Sequence, residues 1–214
     1  MRVVFCAMLV LAGLICKAQD DDMPDLRSKR ENLGKIPEKD IQADVAVFSL
    51  AGLDFTMGKL PLRSMSIADL SDRFVKFDSD NIHITVNAIP FTVDKYKIQY
   101  SEKYVIRLNN KPYFGSYSKV PKLAVSGVSV VIGDDTVAIP PTAYNDLFDP
   151  NFTVNGGGKS KSYDAVYFSA DKHTMYIYLL CNDGMGGYEV TWVIRDKKYV
   201  RRIVDFNVIK NYAG

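Results

Sequence analysis

The sequence predicts a mainly β fold. Antiparallel strands would form two layers or a barrel-like arrangement, with one short amphipathic helix packed on them. Two observations lead to this prediction. After residue 80, apolar and polar residues alternate with a period of two, which is typical of half-buried strands. In the last third of the chain, four such segments are separated by short turns. So many strands would leave open faces unless a second layer covered them.

The chain begins with a segment that has the layout of a secretory signal peptide. Arg2 supplies a positive charge, and the run 3–16 contains no polar side chain. We therefore expect cleavage near Ala18 and a secreted or periplasmic protein. The apolar run has 14 residues, fewer than the ~20 of a membrane-spanning helix, and no later run is as long, so we expect no transmembrane anchor. Lipidation of Cys16 stays open as an alternative, although Ile15 occupies a place where lipoprotein signals have a small residue.

Removal of residues 1–19 would change the charge and the cysteine content of the chain. Lys plus Arg falls from 27 to 25 and then equals the 25 Asp plus Glu. A neutral chain gives no electrostatic reason to expect nucleic acid or anionic membrane as a partner. Of three cysteines only Cys181 remains, so we expect no intrachain disulfide and a fold that depends on its hydrophobic core. We predict a flexible polar leader over 20–44 and a single domain over 45–214, with a first extended segment at 45–50.

A helix is predicted over 66–76. Its apolar stripe has spacings of three, four and three residues, formed by Ile67, Leu70, Phe74 and Phe77. Ser66 and Asp69 would form a capping box at its first turn. A helix of this length is marginal alone, so its stripe should pack on the sheet.

The middle of the chain predicts strands and hairpins. Ile82 to Ala88 alternates cleanly, and the tight turn 101–103 joins two further strands. Another hairpin is predicted around Gly133, between 125–132 and 136–139. The following segments are a strand-ending Pro140-Pro141, one helical turn within 142–148 and a glycine-rich loop over 149–161.

Four strands of the last third can be placed in register by counting across their turns. They are predicted at 163–170, 174–181, 187–195 and 199–206. The predicted pairs are Phe168–Met175, Val166–Ile177, Ile177–Trp192, Leu179–Val190, Ile194–Val200, Val190–Val204 and Tyr188–Phe206. All four apolar faces then lie on one side of the sheet, which a one-residue slip would destroy. Arg202 would lie opposite Trp192 and stack on its indole.

The opposite face of these strands is unusually aromatic, and it supplies most of the candidate binding residues. We predict a ligand surface there and in the loop 182–187, formed by Tyr167, Tyr176, Tyr178, Tyr199, Arg201, Asn182 and Asp183. Tyrosines interleaved with arginine and threonine can stack on sugar rings or bury against a protein. The alternative is that another layer of the same domain covers this face.

No catalytic motif is recognisable in the sequence. His83 and His173 have no partner at metal-ligand spacing, and Cys181 is expected to be buried and inert. The segment 158–160 resembles the end of a phosphate-binding loop, but Thr153 stands where that loop requires glycine. Three groups of acidic and amide residues are interpreted as turns rather than calcium sites: 146–151, 78–81 and 182–183. The sequence 151–153 matches a glycosylation acceptor, which matters only in a eukaryotic host. We therefore predict no metal and no cofactor.

Three functions remain open from the sequence. The first is a non-enzymatic, exported binding or interaction module whose partner is a protein or a carbohydrate. The second is a secreted hydrolase that uses carboxylates such as Asp183 and Glu189. The third is a structural component of the cell envelope. Whether the protein is an enzyme is uncertain, and a binding module is favoured.

Overall fold

The computed structural model describes residues 63–116, 119–156, 159–169, 171–181 and 187–205. The predicted signal peptide, the leader and the extended segment 45–50 lie outside these residues, as do Asn182, Asp183 and Phe206. The described part forms antiparallel sheets that do not close into a barrel. The prediction of a mainly β, antiparallel fold is therefore confirmed, and the barrel-like alternative is not.

The described part of the chain contains fourteen strands and two short 3-10 helices. The strands are β1 (Arg63–Ser64), β2 (Ile67–Ser71), β3 (Phe74–Ser79), β4 (Ile82–Pro90), β5 (Ile98–Ser101), β6 (Tyr104–Leu108), β7 (Leu123–Ile132), β8 (Asp135–Thr136), β9 (Val154–Gly156), β10 (Lys159–Lys161), β11 (Ala165–Phe168), β12 (Thr174–Cys181), β13 (Tyr188–Arg195) and β14 (Lys198–Asp205). The 3-10 helices span Val93–Lys95 and Pro141–Ala143.

These strands form two five-stranded sheets. Sheet I has the order β1-β11-β12-β13-β14, and sheet II has the order β2-β3-β4-β7-β8. The hairpins β5–β6 and β9–β10 stand as separate two-stranded sheets. Side chains from both large sheets join in one buried cluster, so the sheets pack as two layers around a shared core. The predicted two-layer arrangement is thus observed.

The predicted register of sheet I is confirmed at most positions. The observed pairs include Phe168–Met175, Val166–Ile177, Ile177–Trp192, Leu179–Val190 and Val190–Val204. The two-residue turn at Asp196 and Lys197 gives both residues positive φ, at 48° and 60°. Short turns of this kind determine register locally.

One predicted pair is wrong because the β13–β14 register shifts between Val193 and Ile194. Ile194 pairs with Tyr199 rather than with Val200, and Val200 is exposed. A bulge places an extra residue on one strand and reverses the side on which the following side chains lie. Tyr199 therefore packs against the main core and not on the opposite face, where the sequence predicted it.

The predicted helix over 66–76 is also wrong, because the segment forms the β2–β3 hairpin around Asp72 and Arg73. The Arg73 amide donates to Ser71 Oγ at 3.1 Å within this turn. Ile67 pairs with Phe77, and both contact the main core from the same edge of sheet II. A hairpin therefore places the first and last apolar residues on one face, as a helical stripe would, which explains the wrong prediction.

Sheet II provides the second layer of the core. The predicted alternation from Ile82 onward is confirmed in β4, where Ile84, Val86 and Ala88 are buried. Strand β7 pairs along the whole of β4 and turns into β8 at Gly133, whose φ is +62°. The predicted hairpin there is confirmed, although its second strand is only two residues long.

Two smaller predictions are corrected in the connecting segments. The predicted loop over 149–161 contains the β9–β10 hairpin. The predicted helical turn within 142–148 is a 3-10 turn that begins earlier, at Pro141.

A small second core forms near this turn. In it the Phe148 ring makes edge contacts with Phe91, Tyr96 and Tyr113, with ring centres 5.5–5.8 Å apart.

Trp192 lies at the centre of the main core and is fully buried. Its indole Nε1–H donates to the carbonyl oxygen of Ala143 at 2.8 Å, so its polar atom is satisfied. The predicted stacking of Arg202 on this indole is wrong. The guanidinium instead makes a two-point contact with the carboxylate of Asp146 and lies 5.7 Å from the Phe114 ring centre. A bidentate carboxylate pair is the stronger partner for arginine.

Candidate functional site

A concave surface lies at one end of the two-layer fold. The turns β3–β4, β11–β12 and β13–β14 meet there. Two cavities, of about 400 and about 410 Å³, lie side by side and share Ile82, Phe168 and Lys172 in their walls. We call this pair of cavities the end cleft. It brings residues of sheet I and sheet II to one surface.

The floor of the end cleft is apolar because the core reaches the surface at this end. Ile82 and Ile132 come from paired positions of sheet II. Phe168, Met175 and Ile194 come from neighbouring strands of sheet I. Met175 and Ile194 are buried, whereas Phe168 and the two sheet II isoleucines are only partly buried. The partly buried side chains give a ligand an apolar contact surface.

The rim of the end cleft carries charges of both signs, and most of them are paired. Lys197 Nζ lies 2.7 Å from Asp135 Oδ2, which joins the turns of the two sheets. His173 Nδ1 lies 2.9 Å from Asp196 Oδ1. On the other side of the cleft, Asp78 Oδ1 lies 3.0 Å from His83 Nδ1. His83 itself does not line the cleft. The rim acids are therefore engaged by cations or imidazoles.

Two cations of the rim differ from the rest. Arg63 and Lys172 both line the first cavity, the one of about 400 Å³, and neither has an acidic partner within the ranges that the structure describes. Arg63 is placed by the pairing of β1 with β11, where it lies opposite Phe168. Lys172 follows that strand in a turn with a φ of 62°. The cleft therefore combines an apolar floor with two cations that have no carboxylate partner among the described residues.

His173 is the rim group with a perturbed proton affinity. The hydrogen bond to Asp196 raises its pKa above 6.5, and the negative charges of Asp196 and Asp171 add to the effect. Asp171 has a lowered pKa because the hydroxyl of Ser169 and the amide of His173 donate to its carboxylate. Both side chains are exposed, so these interactions tune the charge of the rim more than the stability of the fold.

The tyrosine-bearing face of sheet I is mostly closed to solvent. Tyr176 and Tyr178 are 3% and 6% exposed, and Tyr167 is partly buried. Tyr176 packs with Val193 and Ile203 in a small cluster of its own. Burial and the nearby charge of Glu189 raise the pKa of Tyr178 far above its usual value.

The remaining predicted binding residues are not brought together on one open surface. Tyr199 packs towards the main core and Arg201 is partly buried. Asn182 and Asp183 lie outside the described residues, so the predicted ligand role of this set stays a prediction. Glu189, the second carboxylate of the hydrolase hypothesis, is only 3% exposed.

Asp164 is a buried carboxyl group that the sequence analysis did not single out. Its Oδ1 accepts a hydrogen bond from the Leu180 amide at 3.0 Å, whereas Oδ2 is buried and has no hydrogen-bond partner among the described residues. Burial raises the pKa of Asp164 to about 8, against the opposing effects of the Leu180 amide and of Ser162. Asp164 lies just before β11, and nothing in the sequence around it predicts that its side chain is buried.

Cys181 and Asp149, which the sequence analysis also considered, are held within the fold. Cys181 is buried and is a free cysteine, and burial raises the pKa of its thiol well above the ordinary value. Asp149 Oδ1 accepts the amides of Lys122 and Leu123 at 2.7 and 3.1 Å. The described residues contain no group of three His, Cys, Asp or Glu side chains arranged to hold a metal ion.

Comparison with protein-family models, with curated proteins and with solved structures finds no match to this chain. Within the described ranges, no helix has the length and apolar character needed to cross a membrane.

The sequence analysis missed the end cleft. Its residues come from separate stretches between Arg63 and Lys197 that only the packing of two sheets brings together. The one available signal was the position of His173 beside a hairpin turn.

Proposed function

We propose that this protein is a binding module that holds a small ligand in the end cleft. The observation that carries the proposal is the cleft itself, in which apolar side chains of both sheets are open to a charged rim. Small-molecule sites are concave, mostly apolar and furnished with a few placed polar groups. Each cavity, at about 400 Å³, lies within the range of such sites, ~300–1,000 Å³.

The rigidity of the surroundings supports this location. The floor residues belong to strands whose pairing is continuous with the main core. At the rim, the exposed ion pair between Lys197 and Asp135 bridges the two sheets. A site on paired strands keeps its shape before the ligand arrives, and a preformed site loses less entropy on binding.

Burial also favours the end cleft over the tyrosine-bearing face. A ligand that stacked on Tyr176 or Tyr178 would need rings that are almost fully buried. The hydrolase hypothesis would require Glu189 to reach a substrate, and that side chain is buried as well. A structural role in the cell envelope predicts no ligand for the cleft, so the same binding experiment distinguishes it from the proposal.

The test is a ligand-observed NMR screen with small molecules of mixed charge and polarity, followed by a comparison of two tryptophan variants. Ile82→Trp places a large ring in the wall shared by both cavities. Ile89→Trp is the matched control, because Ile89 is near the other end of the same strand and is 52% exposed.

We expect compounds that bind the wild-type protein and the Ile89→Trp variant but not Ile82→Trp. The proposal is overturned if no compound binds, or if the bound compounds bind the Ile82→Trp variant equally well. Circular dichroism of both variants shows whether each has kept the β fold, and a second filling variant, Ile132→Trp, replaces Ile82→Trp if that chain does not fold.

A further inference from the structure

We infer that the ligand of the end cleft is an amphipathic anion, a small molecule with an apolar body and a carboxylate or similar negative group. This inference rests on the proposed function and adds the chemical class of the ligand. It comes from the distribution of charge around the cleft and from the separation of its apolar and cationic parts.

The charge argument depends on which rim groups already have a partner. Lys197 is paired with Asp135, and His173 is paired with Asp196. Arg63 and Lys172 remain without an acidic partner among the residues that the structure describes. An anion placed between them would gain charge-assisted hydrogen bonds without breaking an existing ion pair. A cationic ligand would have to compete for carboxylates that already have partners.

The geometry separates the two ends of the ligand. Arg63 lines only the first cavity, which also contains the polar residues Ser64, Ser66 and Asn81. Met175 and Ile194 line only the second cavity. Lys172 and Phe168 line both, so they stand at the junction. A ligand that lies across this junction places its negative group near Arg63 and Lys172 and its apolar body over Met175 and Ile194 of sheet I.

The required occupant is thus more specific than an apolar molecule. A purely apolar ligand would leave the two cations without a counter-charge, and a purely ionic one would leave the partly buried Phe168 and Ile132 in contact with water. Removal of apolar surface from water favours binding in proportion to the area covered, and a partly exposed charge contact adds a smaller contribution. Both parts of the ligand are needed for selective binding.

The experiment compares three probes of equal chain length that differ in head group: octanoate, octanol and octylamine. Binding to the full chain is measured by NMR titration at about pH 7.5 in low salt and again in high salt, where exposed charge contacts are screened. The variants are Arg63→Gln and Lys172→Gln. The matched control is Lys95→Gln, because Lys95 is exposed in the 3-10 helix Val93–Lys95 and does not line the cleft.

We expect octanoate to bind more tightly than octanol, and octylamine to bind most weakly. Each cleft variant should weaken octanoate by about twofold to tenfold, which corresponds to one partly exposed charge contact or charge-assisted hydrogen bond. Neither variant should change the affinity for octanol, and Lys95→Gln should behave as wild type. High salt should reduce the preference for octanoate.

The possible failures separate the two proposals. Equal affinity for octanoate and octanol, or an octanoate affinity that survives in both cleft variants, overturns the anionic ligand class and leaves the end cleft as a binding site. Tightest binding of octylamine also overturns it. If none of the three probes binds, the amphipathic class fails, and the proposed function then stands or falls with the wider NMR screen and the Ile82→Trp variant.

Discussion

Replacement of Asp164 by asparagine should change how the stability of this protein depends on pH. The carboxyl group is buried, with one oxygen bonded to the Leu180 amide and the other without a hydrogen-bond partner among the described residues. Burial raises its pKa to about 8, so the folded chain keeps the carboxyl proton at neutral pH. Asparagine has nearly the same shape, retains an oxygen that can accept from Leu180, and carries no charge at any pH.

The magnitude follows from the difference in proton binding between the folded and the unfolded chain. The unfolded carboxyl loses its proton near the ordinary aspartate pKa of 3.8, whereas the folded one keeps it until its pKa of about 8. Between these values the folded state binds one more proton, so the free energy of unfolding falls as pH rises, by about 1.4 kcal/mol per pH unit. Across the whole window the loss is about 6 kcal/mol. Below the lower pKa the stabilisation is fully present, and above the higher one it is gone.

The assay is urea unfolding of the wild-type protein and the Asp164→Asn variant at a series of pH values from about 5 to about 9, which spans the upper part of this window. The difference in unfolding free energy should shift in favour of the variant by roughly 1 kcal/mol per pH unit up to about pH 8 and then level off. Asp94→Asn, an exposed change in the 3-10 helix Val93–Lys95, should follow the wild type throughout. A difference between Asp164→Asn and wild type that stays constant from about pH 5 to about pH 8 would refute the reasoning.

Three further predictions concern the core, the rim of the end cleft and the free thiol. Trp192→Phe removes both volume and the donor to the Ala143 carbonyl, and should lower the unfolding free energy by about 2–3 kcal/mol in urea; a loss below about 0.5 kcal/mol would contradict the central role of this ring. In an NMR titration His173 should have a pKa above 6.5, which should fall in the Asp196→Asn variant because the bonding carboxylate is lost; an unchanged midpoint would show that Asp196 does not hold the imidazole. The buried Cys181 thiol should not react with a thiol reagent at about pH 8. The number of reactive thiols should therefore be equal in the folded wild type and the folded Cys181→Ser variant, and should differ by one in denaturant. A different number of reactive thiols in the two folded proteins would contradict the burial of Cys181.

Local sequence was sufficient for most of sheet I. The turn near Lys172 is short and the loop 182–187 has six residues, so counting across them predicts the partners of Val166, Ile177 and Leu179 correctly. The apolar alternation then fixes which side faces the core. Nothing in the local pattern marks the bulge after Val193, and the position of Tyr199 was therefore predicted on the wrong face.

The failure of the predicted helix has a different physical cause. Ile67 and Phe77 lie on one face of either a helix or a hairpin with its turn at Asp72 and Arg73, but only the hairpin makes them direct neighbours. The choice is made by β4, which pairs with the whole of β3 and buries Val75 and Phe77. A long-range partner of this kind overrides weak local preference, and it cannot be seen in a window as short as the predicted helix.

The sequence by itself determined the class of fold, the C-terminal register at most positions and the burial of Cys181, because these depend on short-range alternation and on turn length. Only the tertiary structure decided that Tyr176 and Tyr178 are buried, that Asp164 is a buried carboxyl group, and that Arg63 and Lys172 line the same cavity. Those properties arise where distant strands pack, and the free energy of a side chain there depends on neighbours that the local sequence does not name.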